Sequence, residues 1–414
     1  MENHQIILPK AWKFKTHEYY DFDKLLNFFN WEINNQDVTI DFSQCLEANY
    51  QALSLFVLYA WHLRRKNCHI SFKYNENKEG ASQMWKKMGS PGLFNVLGDN
   101  ILNFKGSYDK PLFAIRRNSL DFSDAMRKTE SYAQTFNIEY KKTLDFIIAE
   151  LLYNTLEHGY SLINIPSLIQ FAWYQQKGEI SFIIADIGIG IKQHLRQSYP
   201  QIEDDVSAIK LALEPKISGT FIRNTPYAAK DNAGFGLYSS SKIINKLRAD
   251  MHIVSGSGVV HISPTDITDK KLDSHWPGTL VYVTIKLSKS KDISLQKMLF
   301  EFRTSANNEI LQGEKQDQKR QFYVSVRNYC GRYAEEKSTA IMIRDTKLIP
   351  AIDEGKSLLI DFDEIALAPH SFLSALLAVP IRQYGMQAYK NIKIINADSV
   401  IRETIDYILD ENTN

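Results

Sequence analysis

The sequence predicts an α/β protein with three parts: a strand–helix–strand unit near each end and a larger α/β sandwich between them. Two observations carry this prediction. The segments VTIDFSQCLEANYQALSLFVLYAW (38–61) and LLIDFDEIALAPHSFLSALLAVPI (358–381) align without a gap at an offset of 320 residues. Strand and helix patterns alternate between about residues 115 and 288. The predicted domains are therefore residues 1–105, 115–288 and 300–414.

Each end unit begins with an apolar strand that ends in Asp-Phe, at residues 41–42 and 361–362. A short turn segment and an apolar helix follow in both copies. A second apolar strand comes after each helix, in CHISFKY (68–74) and NIKIINAD (391–398). A strand–helix–strand order predicts parallel β-α-β units. An alternative interpretation needs no internal repeat, because β-α-β units in general share this pattern.

The central part is predicted to alternate helices and strands around one long segment without clear periodicity. An amphipathic pattern predicts a helix over about 140–158, and EISFIIAD predicts a buried strand that ends at Asp186. The segment over about 192–233 is unusually long for a connection, and such segments are often functional lids. A helix, a glycine-containing hairpin and a closing strand are predicted in NAGFGLYSSSKIINKLRA (232–249), MHIVSGSGVVHIS (251–263) and GTLVYVTIKL (278–287).

Composition excludes several classes of protein. The 414 residues include 49 Lys and Arg against 48 Asp and Glu, so no overall charge attracts nucleic acid or an anionic membrane. Three cysteines are too few and too scattered for a disulfide framework or a zinc site. The most apolar stretches, 53–62 and 365–381, are too short or too broken by proline to span a bilayer. Without a signal-peptide pattern at its start, the sequence predicts a cytoplasmic protein with no membrane segment.

The helix predicted over 140–158 carries Glu150, Asn154 and His158 at intervals of four residues. This spacing places the three side chains along one side of the helix, beside its apolar stripe. An amide oxygen beside a carboxylate is suited to Mg²⁺, which prefers oxygen ligands. The carboxylate can also take a proton from an attacking water or hydroxyl. The ordinary alternative for such residues is a solvated polar face.

Two glycine-containing motifs follow. Asp186, Gly188 and Gly190 stand at the end of the buried strand; an ionised carboxylate there accepts hydrogen bonds, which selects an amino group such as that of adenine. Glycine lets the backbone approach a flat ring without obstruction by a Cβ. The segment 234–237 opens a helix, where backbone N–H groups can bind phosphate. Each motif alone also fits an ordinary turn.

Their order and spacing resemble the GHKL ATPase and kinase superfamily, which includes gyrase, Hsp90, histidine kinases and MutL. ELLYNTLEHGY is similar to its N-box, DIGIG and NAGFGL to its two glycine boxes, and PGTLVYVTI to its closing strand. The N-box most resembles that of the anti-sigma-factor serine kinases, which also ends in His-Gly-Tyr. The resemblance covers about residues 115–288 and implies the Bergerat α/β sandwich, with ATP and Mg²⁺ as cofactors.

The resemblance also implies roles for individual residues. Glu150 is the general base, Asn154 binds Mg²⁺ and Asp186 binds adenine. His158 belongs to the motif, but a histidine at a helix end is equally explained by the helix dipole. The remaining implied nucleotide contacts lie in the glycine motifs and at the start of the closing strand: Gly188, Gly190, Gly234, Phe235, Gly236, Leu237 and Thr279.

The end units resemble STAS-type domains, and the C-terminal copy resembles a STAS-like domain of unknown function often found beside GHKL modules. In bacterial partner switching, a GHKL kinase phosphorylates a serine at the start of the helix after a STAS strand. Ser371 occupies that position and is the candidate phosphate acceptor; alternatively, it only caps the helix. The aligned residue of the N-terminal copy is Gln51, which cannot accept phosphate.

Two functions remain open at this level. The first is a Mg²⁺-dependent GHKL ATPase or serine kinase that acts on a STAS-like segment or partner in bacterial regulation. The second is an ATP-gated interaction module, as in some conflict and defence proteins, with little or no turnover. Glu150 favours turnover, because a protein that only binds ATP needs no base. Both imply a protein partner, STAS-like or otherwise regulatory, and a homodimer is open as well.

Overall fold

The computed structural model describes residues 3–16, 19–77, 79–89, 92–98, 110–116, 119–132, 138–158, 165–215, 217, 236–286, 294–312, 322–330, 332–353, 357–363, 365–385, 388 and 391–413. These residues form two compact units. The first takes in described residues of 3–192, 204–217 and 236–308, and the second those of 193–203 and 309–413. The sequence predicts a domain boundary between residues 105 and 115, which lies within the first unit. This boundary stays a prediction.

A β-α-β part opens the first unit. Its strands are β1 (Asn3–Ile7), β2 (Ala11–Trp12), β3 (Lys15–Thr16), β4 (Tyr19–Tyr20), β5 (Asp37–Asp41), β6 (Glu47–Ala48) and β7 (His69–Lys73). Its helices are α1 (Asp23–Leu26), α2 (Tyr50–Arg65) and α3 (Gly80–Lys87). Strands β1, β5 and β7 form a parallel sheet in that order, which confirms the predicted β-α-β unit. Asn49 caps α2 by accepting a hydrogen bond from the Ala52 N–H at 2.8 Å.

The central part is built on a five-stranded sheet. Its strands are β8 (Leu112–Ile115), β9 (Ser167–Tyr174), β10 (Glu179–Ala185), β11 (Asp250–Ile262) and β12 (Ile267–Lys286), in the order β11-β12-β10-β9-β8, with all neighbours antiparallel. The helices in this stretch of chain are α4 (Ser119–Tyr132), α5 (Ile138–His158), α6 (Gly190–Arg196), α7 (Asp205–Ala212), α8 (Gly236–Lys246) and α9 (Leu295–Gln312). The predicted long helix, buried strand and α/β class are confirmed.

Both faces of this sheet are covered within the first unit. Along β10, Phe182 and Ile184 belong to the core that contains side chains of α5 and α8. Ile183 and Ala185 belong instead to the core formed with the N-terminal β-α-β part. This alternation is the period of two that a strand imposes on its side chains. The N-terminal part therefore has no separate core, because its apolar side chains share one with the sheet.

Two segments of the central part differ from the sequence prediction. The segment over 192–233 was expected to lack regular structure, yet its described residues include most of α6 and all of α7. Helix α7 is too short for its periodicity to stand out from its neighbours. The predicted hairpin is a single assigned strand, β11, with register shifts beside Gly256 and Gly258. The two ends of β11 approach each other, since the rings of His252 and His261 stack with their centroids 4.0 Å apart.

The second unit contains the C-terminal repeat. Its elements are β13 (Phe322–Ser325), α10 (Val326–Cys330), α11 (Lys337–Ile343), a π-helical turn (Arg344–Leu348), α12 (Ile349–Asp353), β14 (Leu358–Asp361), α13 (His370–Tyr384), β15 (Ile392–Ile395) and α14 (Ser399–Thr413). Strands β13, β14 and β15 form a parallel sheet in that order. The predicted β-α-β unit is confirmed here as well.

The two β-α-β parts match in detail at the offset of 320 residues. Asp41 Oδ1 accepts a hydrogen bond from the Ser43 N–H at 2.8 Å, and Asp361 Oδ1 accepts one from the Asp363 N–H at 2.9 Å. The parallel pairing of Ala11 with Glu47 has a counterpart in the bridge between residues 333 and 367, although 333 is shifted by two residues from the offset that 367 keeps. General β-α-β geometry does not require these local contacts, so they favour the internal repeat over the alternative.

Two further expectations concern the whole chain. The three cysteines, Cys45, Cys68 and Cys330, are free thiols, as their number and spacing predict. In the part of the chain that the structure describes, no helix combines the length and apolar character that crossing a membrane requires.

Candidate functional site

Asp186 follows β10 directly, and its side chain is almost completely buried. Its Oδ1 accepts hydrogen bonds from the Gly188 N–H at 2.8 Å and the Thr279 N–H at 3.2 Å. Within the described residues, Oδ2 accepts no hydrogen bond. Burial raises the pKa of this carboxyl to about 6, although the two backbone N–H groups act in the opposite direction. The site thus holds one carboxylate oxygen firmly and leaves the other as a hydrogen-bond acceptor.

Glycines allow the backbone to close around this carboxylate. A Cβ on Gly278 would collide with Asp186 and would lie 2.6 Å from the Gly188 nitrogen. Gly190 has a φ of +73°, and a Cβ there would lie 2.9 Å from Ser255 Oγ. Both positions therefore require glycine, Gly278 for space and Gly190 for its backbone conformation as well.

Ser255 joins the parts of this loop cluster and was not singled out from the sequence. Its hydroxyl donates to the Gly278 carbonyl at 2.9 Å and accepts from the Ile191 N–H at 2.9 Å. The Thr279 hydroxyl donates to Ser255 Oγ at 3.4 Å. Ser255 stands in VSGSG, where a serine between glycines suggests only a turn. Its role depends on residues far away in sequence, so no local signal could have identified it.

Glu150 and Asn154 lie one turn apart on α5, and both are half-buried. The same helix buries Ile147, Ile148 and Leu151 in the core against the sheet. Thr155 also belongs to the buried side, where its hydroxyl donates to the Leu152 carbonyl at 2.8 Å. The polar residues therefore stand at the edge of the packed face, as their spacing predicts.

Gly236, the first residue of α8, lies directly against Glu150. A Cβ on Gly236 would collide with Oε2 of that carboxylate. The structure thus brings the first and third predicted motifs together, although 86 residues separate them in the sequence. Leu237 is half-buried and packs on the same core as α5. Gly234, Phe235 and the side chain of His158 lie outside the described residues.

The structure places Ser371 in the first turn of α13, where its side chain is exposed. Pro369 occupies the N-cap position and makes no side-chain capping hydrogen bond. The interpretation of Ser371 as a helix cap is therefore wrong. In the N-terminal part, by contrast, Gln51 is buried, and its Nε2 donates to the Ser181 carbonyl on β10 at 3.1 Å. The equivalent positions of the two copies therefore have different surroundings: Gln51 is packed inside the first unit, whereas Ser371 lies on the surface.

Comparison with known families gives one match. Residues 339–402 match the STAS-like domain of unknown function (DUF4325). The matched segment contains β14, α13 and β15, and it includes Ser371. The C-terminal part therefore contains a STAS-like domain, as the sequence predicts. Among curated proteins, no significant match to the chain is found.

Proposed function

We propose that the central part binds ATP with Mg²⁺ in the manner of the GHKL superfamily, and that the chain is an ATPase or serine kinase acting on a STAS-like segment or partner. The observation that carries this proposal is the pairing of distant motifs. Gly236 lies against Glu150, and Gly278 and Thr279 enclose Asp186. Ordinary turns and a solvated helix face would not bring these residues into contact.

The surroundings of Asp186 suit adenine. Its Oδ1 is occupied by two backbone N–H groups, so Oδ2 is the oxygen that would accept from the exocyclic amino group. A hydrogen bond to a charged group contributes about 1.5–3 kcal/mol. The pKa of about 6 leaves the carboxyl mostly ionised at neutral pH, as an acceptor must be.

The surroundings of Glu150 suit the triphosphate end. Asn154 would hold Mg²⁺ through its amide oxygen, and the ion, when bound, neutralises phosphate charge. Glu150 stands beside the first residue of α8, where backbone N–H groups favour an anion. From there its carboxylate would take the proton of the attacking water or hydroxyl as the new bond to the γ-phosphorus forms and the bond to the β,γ-bridging oxygen breaks, releasing ADP.

The STAS-like domain supports phosphoryl transfer over binding alone. Ser371 is exposed and is not used as a cap, so its hydroxyl is accessible. Phosphate there would add about −1.5 to −2 charges in the first turn of a helix, where the dipole favours them. The second candidate function is an ATP-gated interaction module, in which the STAS-like surface binds a partner without turnover.

Incubation with γ-labelled Mg-ATP separates these functions, with free phosphate and labelled protein followed together. We expect Glu150→Ala to retain ATP and to lower turnover by roughly 10²–10⁴, because a base acts mainly in the transition state. Asn154→Ala should lose Mg²⁺-dependent binding as well. Glu139→Ala, on the same helix, is the control. If Glu150→Ala hydrolyses ATP at the wild-type rate, Glu150 is not the general base.

Mass spectrometry of the same samples identifies the acceptor. A kinase that phosphorylates Ser371 of this chain should label wild type and Ser374→Ala but not Ser371→Ala. Ser374→Ala is the control because Ser374 lies on the same helix, α13. Free phosphate with unmodified Ser371 would indicate an ATPase, because water is then the acceptor. ATP binding with neither product would leave the interaction module or a kinase whose substrate is another protein.

A further inference from the structure

Asp186 is held from behind by a tryptophan of the closing strand. Trp276 Nε1 donates to the Asp186 carbonyl at 2.9 Å, and the Trp276 ring is completely buried. Gly278 and Thr279, which enclose the carboxylate, follow Trp276 by two and three residues. The position of the backbone over residues 274–279 therefore decides where the Asp186 carboxylate stands.

Aromatic side chains of the N-terminal β-α-β part hold this segment. Phe29 and Trp31 pack on the Trp276 ring, with centroid distances of 5.8 and 5.2 Å and nearly perpendicular planes. Trp31 Nε1 also donates to the His275 carbonyl at 3.2 Å. The N-terminal part thus contacts both the side chain and the backbone of the segment.

A carboxylate adds a second attachment at the start of the segment. Asp23 Oδ1 accepts hydrogen bonds from the Ser274 N–H at 3.0 Å and from the Ser274 hydroxyl at 2.8 Å. Its Oδ2 accepts from Lys270 Nζ at 3.1 Å. Bonds to a charged acceptor are stronger than neutral ones, so Asp23 fixes Ser274 well.

Trp31 is itself anchored to α2. His62 Nε2 lies 3.2 Å from the Trp31 carbonyl, and the Tyr59 hydroxyl donates to the neighbouring Asn30 carbonyl at 2.8 Å. A continuous set of hydrogen bonds and ring contacts therefore runs from α2 through Trp31 and Trp276 to Asp186. Networks of this kind hold groups more rigidly than their single contacts suggest.

We propose that Trp31 and Asp23 are positioning residues for recognition of the base, so that the N-terminal β-α-β part is a component of the nucleotide site. This inference rests on the proposed ATP site. Adenine offers an amino donor to Asp186, whereas guanine offers a carbonyl oxygen at the corresponding position. A carboxylate fixed in place accepts from adenine and repels guanine, and a carboxylate free to turn away discriminates less.

The test compares Trp31→Phe with Trp85→Phe. Both changes remove an indole N–H from an aromatic cluster of the N-terminal part, but Trp85 packs on Phe42 and Phe72, and its Nε1 has no hydrogen-bond partner among the described residues. We expect Trp31→Phe to lower the ratio of Mg-ATP to Mg-GTP affinity roughly threefold to tenfold, the loss of one hydrogen bond. Trp85→Phe should leave the ratio unchanged.

Hydrogen–deuterium exchange without nucleotide provides a second readout. The Thr279 N–H, which donates to Asp186, should exchange faster in Trp31→Phe and not in Trp85→Phe. If Trp31→Phe fails to fold, Asp23→Asn takes its place with the same readouts, and Asp37→Asn is its control. Equal affinity ratios in both tryptophan variants, with ATP bound by the wild type, would overturn this inference alone. A wild type that binds no Mg-ATP would overturn the proposed function and this inference together.

Discussion

Among single residues, Asp186 has the most specific surroundings. Asp361, at the end of β14, also accepts two hydrogen bonds on one oxygen, from the Asp363 N–H and from Asn396 Nδ2, both at 2.9 Å. Asp186 differs because its second donor is a backbone N–H of a neighbouring strand, that of Thr279, and because Gly278 closes over the carboxylate. Its Oδ2 is thereby left as an acceptor in a site with little solvent, where an amino group would replace the missing partner.

Replacement of Asp186 by asparagine should weaken Mg-ATP binding. The amide keeps the shape of the carboxyl but loses the charge, so a charge-assisted hydrogen bond worth about 1.5–3 kcal/mol is lost, or roughly tenfold to a hundredfold in affinity. Titration calorimetry measures the change. Asp361→Asn is the matched control, since Asp361 is also a buried carboxylate at the C-terminal end of a strand, β14. Equal affinities of wild type and Asp186→Asn would contradict the assignment.

The raised pKa of Asp186 predicts a pH dependence of stability in the absence of ligand. The carboxyl titrates near 3.8 when exposed and at about 6 in the folded protein. Between these values the folded state holds a proton that the unfolded state has released, so the free energy of unfolding falls as pH rises from about 4 to 6. The loss should reach up to about 3 kcal/mol and then level off. Other carboxyls, among them Asp23, Asp41 and Asp250, have lowered pKa values and contribute a slope of the opposite sign. Urea unfolding should therefore compare wild type with Asp186→Asn, and the free energy of unfolding of wild type relative to the variant should fall from about pH 4 to 6. A difference that stays constant or rises would contradict the prediction.

At the scale of secondary-structure elements, close approaches of backbone explain several sequence features. Helix α7 docks on the bulged part of β11, where Asp205 Oδ2 accepts from the Ser257 N–H at 2.9 Å. A Cβ on Gly258 would lie 2.8 Å from the Val206 nitrogen. The described start of the predicted lid is thus anchored to β11. The hydrophobic periodicity of α7 is weak because a short helix that docks closely on glycines needs few apolar side chains.

Gly278→Ala tests the packing between β12 and the end of β10. The added methyl group would meet Asp186 and the Gly188 nitrogen, and overpacking of this kind costs about 1–3 kcal/mol or more. Gly98→Ala in the same unit is the control, because among the described residues the nearest atom to its Cβ would be the Asn95 carbonyl oxygen, 3.8 Å away. The urea midpoint should fall for Gly278→Ala only. A fall of equal size in both variants would show that close packing at residue 278 is not the cause.

Across the whole chain, one of the two cores of the first unit joins the N-terminal part to the central part. Side chains of the N-terminal part and the sheet pack together, including Phe14 on Tyr282 with centroids 4.8 Å apart. The core of the second unit draws instead on residues between 324 and 409. The first unit therefore depends on its N-terminal part for more than attachment.

Removal of the N-terminal part should destabilise the central part. A chain of residues 110–308 would expose the sheet face that carries Leu168, Ile183 and Leu280, whereas a chain of residues 1–308 keeps it covered. Exposed apolar faces of this extent promote aggregation. We expect the shorter chain to aggregate or to bind a hydrophobic dye in light-scattering and fluorescence measurements, and the longer one to do neither. A soluble shorter chain with cooperative unfolding would show that the face needs no cover.

The local features of this protein follow from its amino-acid sequence. The offset repeat, the polar residues at intervals of four on α5 and the glycines after β10 are periodic or local patterns, and each was located correctly. Local patterns follow from backbone geometry, which every residue samples with its near neighbours. For the same reason the sequence identified Glu150, Asn154 and Asp186 as candidates before their surroundings were known.

Which of these residues come into contact depends on the tertiary fold. The contact between Gly236 and Glu150, the bridging hydroxyl of Ser255 and the path from Trp31 to Asp186 all join segments distant in sequence. The tertiary structure also decided that the N-terminal part covers the central sheet, with Gln51 buried against it, while Ser371 of the second copy stays exposed. Such contacts depend on how whole faces fit together, and the residues on either side carry no local sign of the partner that they will meet.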